Sequence, residues 1–263
     1  MKVGYIQTNP IFGEKERNFS EIDKLIENLE ADLIVLPELF ATGYTFISKE
    51  EAISLAEDKY GETATFLTNI SNDTGAILVG GFIEKHKKNI YNSSLIVSNK
   101  GIIDTYRKIH LYYKEKIWFS PGDKPIKVFD INNIKIGIMI CFDWIFPEMA
   151  RSLMLLGADI IAHPANLVLP YCQKAMVTRC VENRVYAITA NRIGEEQRGE
   201  DNFKFTGASQ ITSYNGSVLS SAPPDKLFID FVDIDIFKAR NKKLNTYNDL
   251  KEDRQTHYYY NKS

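Results

Sequence analysis

The sequence predicts an α/β protein of one domain, layered so that both faces of its sheets are covered. Three observations carry that expectation. Short apolar runs such as Leu33–Leu36, Ile134–Ile140 and Ala158–Ala162 alternate with amphipathic helical patterns. These runs are near-continuous rather than strictly alternating, as expected of strands buried on both faces. No Pro-, Gly- or Ser-rich linker divides the 263 residues, a length that one domain can bury around a substantial core. Composition adds no special class, at 44% hydrophobic and 25% charged. A formal net charge of −2 gives no electrostatic reason for a nucleic acid or acidic membrane partner. No apolar run approaches the ~20 residues that span a bilayer.

In chain order, Lys2–Gln7 reads as the first strand, so no signal peptide is expected before it. Across 14–30, Ile22, Leu25, Ile26 and Leu29 fall at i, i+3, i+4 and i+7 and predict an amphipathic helix. Ala31-Asp-Leu-Ile-Val-Leu-Pro37-Glu38 is a buried strand stopped by proline, with a carboxylate delivered at its end. Residues 50–74 read as helical, with Gly75 as the stop. Strands follow at 76–83, 91–98 and 102–107, the last two as a hairpin about Asn99-Lys-Gly101. An aromatic, irregular segment then closes at Ser120-Pro-Gly122-Asp. A short strand at 127–130 turns through Asn132-Asn133 into Ile134–Ile140, which stops at Cys141. Pro147 opens a helix that Gly157 ends, and a strand at 158–163 is closed by Pro164. A helix over 170–184, a strand at 185–191, a hairpin about Tyr214-Asn-Gly216 and a last strand at 227–234 complete the domain. The domain is placed at 1–236. Residues 237–263 form a polar arm whose aromatic end, Tyr258-Tyr-Tyr260, suits docking better than disorder. Ala31-Asp-Leu-Ile-Val-Leu-Pro37 and Ala158-Asp-Ile-Ile-Ala-His-Pro164 echo one another, which hints at two related halves.

A cysteine between a buried strand and a helix start sits where a nucleophile and an oxyanion site are easily built. Free cysteines are more often small core residues, so Cys141 needs support from elsewhere in the chain. Cys141, Cys172 and Cys180 form an odd set without zinc or redox spacing. Cys172 and Cys180, on one predicted helix, would lie ~12 Å apart, too far for a disulfide. A reduced, cytoplasmic protein is expected. An unperturbed thiol, with a pKa of about 8.5, needs activation at neutral pH. His86 and His257 lie in polar surface contexts, while His110 and His163 fit equally well as hydrogen-bonded structural residues. Glu38, at the end of a buried strand, is placed where desolvation makes a carboxylate a better base. Lys108, between a strand and an aromatic segment, is the available cation, although alone it reads as a snorkelling surface lysine.

Taken together, Leu36-Pro-Glu38-Leu, Tyr106-Arg-Lys108-Ile-His-Leu and Ile140-Cys141-Phe-Asp-Trp144 strongly resemble the nitrilase (carbon–nitrogen hydrolase) superfamily. The resemblance continues through Pro121-Gly-Asp, His163-Pro-Ala-Asn166 and Glu182-Asn-Arg184, and 240–245 looks like the small archaeal-type nitrilases. It implies a four-layer α-β-β-α sandwich with Glu38 as base, Lys108 as cationic stabiliser and Cys141 as nucleophile. It also puts the family's second glutamate on Glu115, which alone would read as an exposed charge between Lys114 and Lys116. The Phe142 backbone N–H joins Lys108 in the oxyanion site, and Asp143 and Trp144 shape the pocket. Phe40, Tyr44, Tyr112, Trp144 and Asn166 are candidates to line it. No metal or cofactor is called for.

The implied activity is hydrolysis of a small aliphatic amide to carboxylic acid and ammonia through a cysteine thioester. Cys-Phe-Asp after the strand favours the amide. A small nitrile or dinitrile is the alternative, because look-alikes with Cys-Phe-Asp-Trp act on nitriles. A non-catalytic binding member of the fold is a third reading, disfavoured by three intact catalytic positions. The resemblance also implies a homodimer packed through the helices after Cys141 and Pro170, with the arm docked at the interface. Met149, Leu153, Leu156, Ala175, Met176 and Val181 are the apolar residues taken to supply that contact.

Overall fold

The computed structural model describes residues 1–27 and 29–259. In the first half, β1 (Lys2–Gln7), α1 (Lys15–Leu25), β2 (Leu33–Val35), α2 (Lys49–Leu55) and α3 (Glu62–Thr74) lead into β3 (Ile77–His86), β4 (Asn89–Ser98) and β5 (Gly101–Arg107). A short α4 (Glu115–Trp118) separates these from β6 (Val128–Ile131), β7 (Ile134–Ile138), α5 (Pro147–Leu155), β8 (Ile160–Pro164), α6 (Cys172–Asn183) and β9 (Tyr186–Ala190). Then come β10 (Glu195–Arg198), β11 (Asp201–Lys204), β12 (Gln210–Thr212), β13 (Val218–Ser221), β14 (Phe228–Asp233) and α7 (Ile236–Arg240). Two six-stranded sheets result, ordered β14-β1-β2-β3-β4-β5 and β13-β12-β9-β8-β7-β6. Together with the flanking helices they make the expected sandwich.

Alternation along the strands explains the layering. Val3, Tyr5, Leu33 and Val35 face the core between the sheets, where they share a cluster with Ile136, Ile138, Ile160 and Ile188. Ile6, Ile34 and Leu36 point the other way and pack with Ile22 of α1 and Leu67 and Ile70 of α3. Both faces are covered, which is why these strands read as continuous apolar runs.

The Ala-Asp echo marks equivalent places in the two sheets. Asp32 precedes β2, the strand flanked by parallel β1 and β3, and Asp159 precedes β8, flanked by parallel β7 and β9. Each Asp bonds the start of the neighbouring strand: Lys2 N donates to Asp32 Oδ2 at 2.6 Å and Lys135 N to Asp159 Oδ2 at 3.1 Å. Each Asp N–H also donates to the carbonyl of that same lysine, at 2.8 Å in both halves. The short motif is a strand-entry clamp used twice.

Three expectations change. The helix foreseen across 14–30 ends at Leu25, where Ile26 N–H closes a tight turn on Asp23 O. The apolar spacing ran on because Leu29 still packs on the same cluster from the connection. Residues 50–74 divide into α2 and α3, because Glu57 leaves the helix to exchange backbone hydrogen bonds with Ile83 and Lys85. Ser48 caps α2, and Gly75, left-handed at φ 73°, ends α3 as foreseen. The hairpin of β10 and β11 was not foreseen at all.

The apolar supply assigned to a dimer also shrinks. Met149, Leu153 and Met176 are buried in the core of this chain, leaving Leu156, just after α5, and Val181 of α6 as exposed apolar residues, with Ala175 half-buried. The arm is anchored at its start. Arg240 bonds both carboxylate oxygens of Asp159, and Lys242 Nζ donates to the Asn183 and Arg184 carbonyls. Beyond it Leu244, Tyr247, Tyr258 and Tyr259 are exposed, and Tyr260 lies outside the described residues.

Gly81 of β3 is the close approach that places the end of β2. A Cβ there would stand 2.5 Å from Leu39 N and 2.6 Å from Glu38 Cα. Gly81→Ala is therefore expected to destabilise the protein by about 1–3 kcal/mol, read as a lower midpoint in denaturant unfolding. An unchanged midpoint would show that the turn after Pro37 is slack.

Candidate active site

Lys108 is the centre of the polar cluster between the sheets. Along the end of β5 the side chains alternate. Arg107 turns one way to Glu84, with Nε to Oε2 at 2.9 Å, and Lys108 turns the other. Lys108 is fully buried, and its Nζ donates to Glu38 Oε1 at 2.7 Å and to Glu115 Oε1 at 2.8 Å. Burial alone would pull this ammonium down, but the charges of Glu115 and Glu38 raise it above its ordinary value. It is held as a fixed cation.

Each carboxylate is fixed differently. Glu38 Oε1 also accepts from Asn92 Nδ2 of β4 at 2.7 Å, whereas its Oε2 is buried without a partner among the described residues. Glu115, at the first turn of α4, is braced on three sides. Oε1 accepts from Tyr44 OH at 2.7 Å as well as from Lys108, and Oε2 accepts from Tyr112 N at 3.1 Å. Burial pushes its carboxyl up to about 6, against the pull of Lys108. Glu115, read alone as a surface charge, is thus inside the molecule and bonded to the same lysine as Glu38.

Cys141 opens the turn after β7 in a left-handed conformation, φ 41°, which costs a non-glycine residue strain and recurs at functional sites. Asp143 holds that turn. Its Oδ2 accepts from Ile140 N at 2.9 Å and from Tyr106 OH at 2.8 Å, and its Oδ1 pairs with His110 Nδ1 at 2.8 Å. Asp143 is therefore a brace behind the thiol, not a pocket wall as expected. Of the two candidate histidines, His110 is spent on this brace and stacks on Phe146. His163 faces the Cys141 carbonyl, Nε2 to O at 3.0 Å, rather than the thiol.

The Cys141 Sγ donates to the Asn166 carbonyl at 3.7 Å. Burial pushes the thiol well above its usual range, and among charged groups Glu38 contributes most in the same direction, with Lys108 opposing.

A narrow cleft over Cys141 is lined by Tyr112, Phe142, Trp144, Asn166, Leu167 and Val168 and encloses about 10 Å³, room for about one water-sized group. Among the described residues, neither the nitrogen nor the oxygen of the buried Asn166 amide has a partner. Tyr44 lies elsewhere, in a second small cleft on the Glu115 side with Thr45, Trp118 and Phe203. Phe40 does not reach the site. It is fully buried between α1, α3 and the first sheet, beside Phe19 and Phe66. Sequence reading missed Asn92, whose one signal was an amide inside a buried strand. Among the described residues no group of His, Cys, Asp or Glu is placed to hold a metal ion, and no helix is long and apolar enough to cross a membrane.

Comparison with known proteins identifies the family. The carbon-nitrogen hydrolase family matches residues 2–243. The chain is 48% identical to the nitrilase of Pyrococcus abyssi (strain GE5 / Orsay), over 99% of both chains. It is 32% identical to an (R)-stereoselective amidase of Pseudomonas sp, covering 92% of this chain and 88% of that one. A solved carbon-nitrogen hydrolase from Helicobacter pylori G27 superposes with a TM-score of 0.87 over 98% of this chain and 96% of that chain, at 23% identity, a likeness of fold. A family match over residues 2–243 and relatives similar along nearly their full length lead to one conclusion: this chain belongs to the carbon–nitrogen hydrolase family.

Proposed function

We propose that the protein hydrolyses the carbon–nitrogen bond of a small aliphatic amide, giving a carboxylic acid and ammonia through a thioester on Cys141. The observation that carries this reading is the Lys108 ammonium between two buried carboxylates, one of which keeps an unpartnered oxygen, Glu38 Oε2. That oxygen is the base. It takes the Cys141 proton as Sγ attacks the carbonyl carbon. Charge developing on oxygen is met by Lys108 and the Phe142 backbone N–H. Each such donor is worth ~10²–10³ in rate. Glu38 then gives the proton to the departing nitrogen, and ammonia leaves a thioester. Water, deprotonated by the same carboxylate, releases the acid and returns the proton to sulfur. Glu115 holds Lys108 in place throughout.

The free acceptors favour an amide. Glu38 Oε2 and Asn166 Oδ1 are buried without partners among the described residues, and an amide NH2 can donate to such oxygens while a nitrile cannot. The narrow cleft favours a short aliphatic chain against Tyr112, Phe142 and Trp144. The second reading, a small nitrile or dinitrile, is favoured by the 48% identity to a nitrilase. The same residues would serve it: Sγ would add to the nitrile to give a thioimidate, a first water would convert this through a tetrahedral adduct to the thioester and ammonia, and a second water would release the acid. We also read the protein as a homodimer joined across α5 and α6. Ile145, Leu156 and Val181 are exposed apolar residues on and beside those helices, and the exposed tyrosines of the arm would add to them.

Cys141→Ala is expected to abolish turnover with the circular-dichroism melt unchanged, and Glu38→Gln to lower kcat by at least ~10²-fold. His163→Ala should be tolerated far better than Glu38→Gln; the reverse order would favour histidine as the base. Mass spectrometry of products from matched short amides and nitriles separates the two substrate readings. Faster acid release from the amides is the expected result, and faster release from the nitriles would install the second reading.

A further inference from the structure

The hairpin of β10 and β11 carries few apolar residues, yet it buries a charged pair. Arg192, just after β9, is 1% exposed and Glu196 of β10 is 7% exposed. They are joined through Arg192 Nη1 and Glu196 Oε1. Arg192 also donates from Nη2 to Pro10 O at 3.0 Å and lies over the Phe205 ring. Two apolar residues of equal volume would serve stability as well or better than such a pair. What a carboxylate adds is acceptors. Glu196 Oε2 accepts the backbone N–H of Tyr44 at 3.1 Å and of Thr45 at 2.8 Å. Two residues along β10, Arg198 Nη1 donates to the Thr45 carbonyl at 2.8 Å and pairs with Glu51. The Thr45 residue is thus held by both its N–H and its C=O.

The pinned segment ends in the cluster around Lys108. Tyr44 OH donates to Glu115 Oε1, and the Tyr44 ring sits edge-on to Phe203 of β11, centroids 5.8 Å apart. From the other side Asp201 of β11 takes Lys114 Nζ at 2.7 Å, one residue before Glu115. One hairpin therefore reaches Glu115 along two routes.

We propose that Glu196, held by Arg192, is a positioning residue: it fixes the backbone at 44–45 so that the Tyr44 hydroxyl stays on Glu115 and keeps Glu115 on Lys108. The proposal rests on the reading of Glu115 as the support of Lys108. The charged and titratable groups facing Glu115 are Lys108, Glu38, Tyr44, Tyr112 and Cys141, and Glu196 faces Arg192. The Tyr44 hydrogen bond favours the ionised carboxylate, so its loss moves the Glu115 titration upward.

The test reads that carboxyl directly, without substrate. The protein is labelled with glutamate carrying ¹³C at the side-chain carboxyl, and Glu115 is assigned by its loss in Glu115→Gln. Titration is then followed in wild type, Tyr44→Phe, Glu196→Gln and the double variant. The expected midpoint is near 6 in wild type and higher by at least half a pH unit in each single variant. The double variant should move no further than Tyr44→Phe. On a short amide, kcat should fall several-fold in Glu196→Gln with KM within about twofold. A folded Glu196→Gln with an unmoved Glu115 midpoint would overturn the proposal, as would additive shifts in the double variant. If Glu196→Gln does not fold, Arg192→Lys takes its place and an unmoved midpoint again overturns it. Failure of the hydrolase reading looks different: every short amide and nitrile would be left intact by wild type.

Discussion

A lysine ammonium buried between two carboxylates is the interaction on which the rest of this structure depends. Lys108 is out of reach of water, and it is tolerable there because Glu38 and Glu115 both accept from it. Removing one member of such a cluster typically costs about 3–5 kcal/mol, because the others are left buried and uncompensated. The fold supplies every support. β2 delivers Glu38 past Pro37, the glycine of β3 lets that turn come close, and Asn92 of β4 holds one oxygen. The opposite sheet brings Cys141 on a strained turn. Under the proposed function, the free oxygen of Glu38 would take the proton of the buried Cys141 thiol when a substrate carbon arrives.

Much of the fold was legible because its strands obey simple rules. Strands covered on both faces read as continuous apolar runs, and proline or glycine marked their ends. Even the seven-residue echo had a physical cause, since Asp32 and Asp159 clamp equivalent strand entries. The site was legible where a polar residue interrupts an expected pattern, as Glu38 does after a buried strand. Glu115 could not be read that way. Its neighbours Lys114 and Lys116 give a charged stretch, and only the tertiary turn of α4 carries the carboxylate inward.

The misreadings share a cause as well. Aromatic and apolar residues do not announce which surface they face. Phe40 follows Glu38 by two residues yet fills the core under α1 and α3, and Met149, Leu153 and Met176 serve this chain's own interior. The β10–β11 hairpin had no apolar alternation to reveal it. Glu195–Lys204 is almost wholly polar, and its strands are fixed by hydrogen bonds and ion pairs with distant segments: Arg198 with Glu51, Asp201 with Lys114 and Glu196 with the backbone at 44–45. Interactions across more than eighty positions of sequence leave no periodic trace.

The central claim is that Cys141 carries the substrate's acyl group. Rapid acid quench during turnover of a short amide, followed by peptide mass spectrometry, tests it most directly. The account predicts an acyl adduct on the peptide containing Cys141, released by hydroxylamine and absent from peptides containing Cys172 or Cys180. Turnover that proceeds with incorporation of solvent oxygen but with no adduct on Cys141, or with an adduct on another residue, would contradict it.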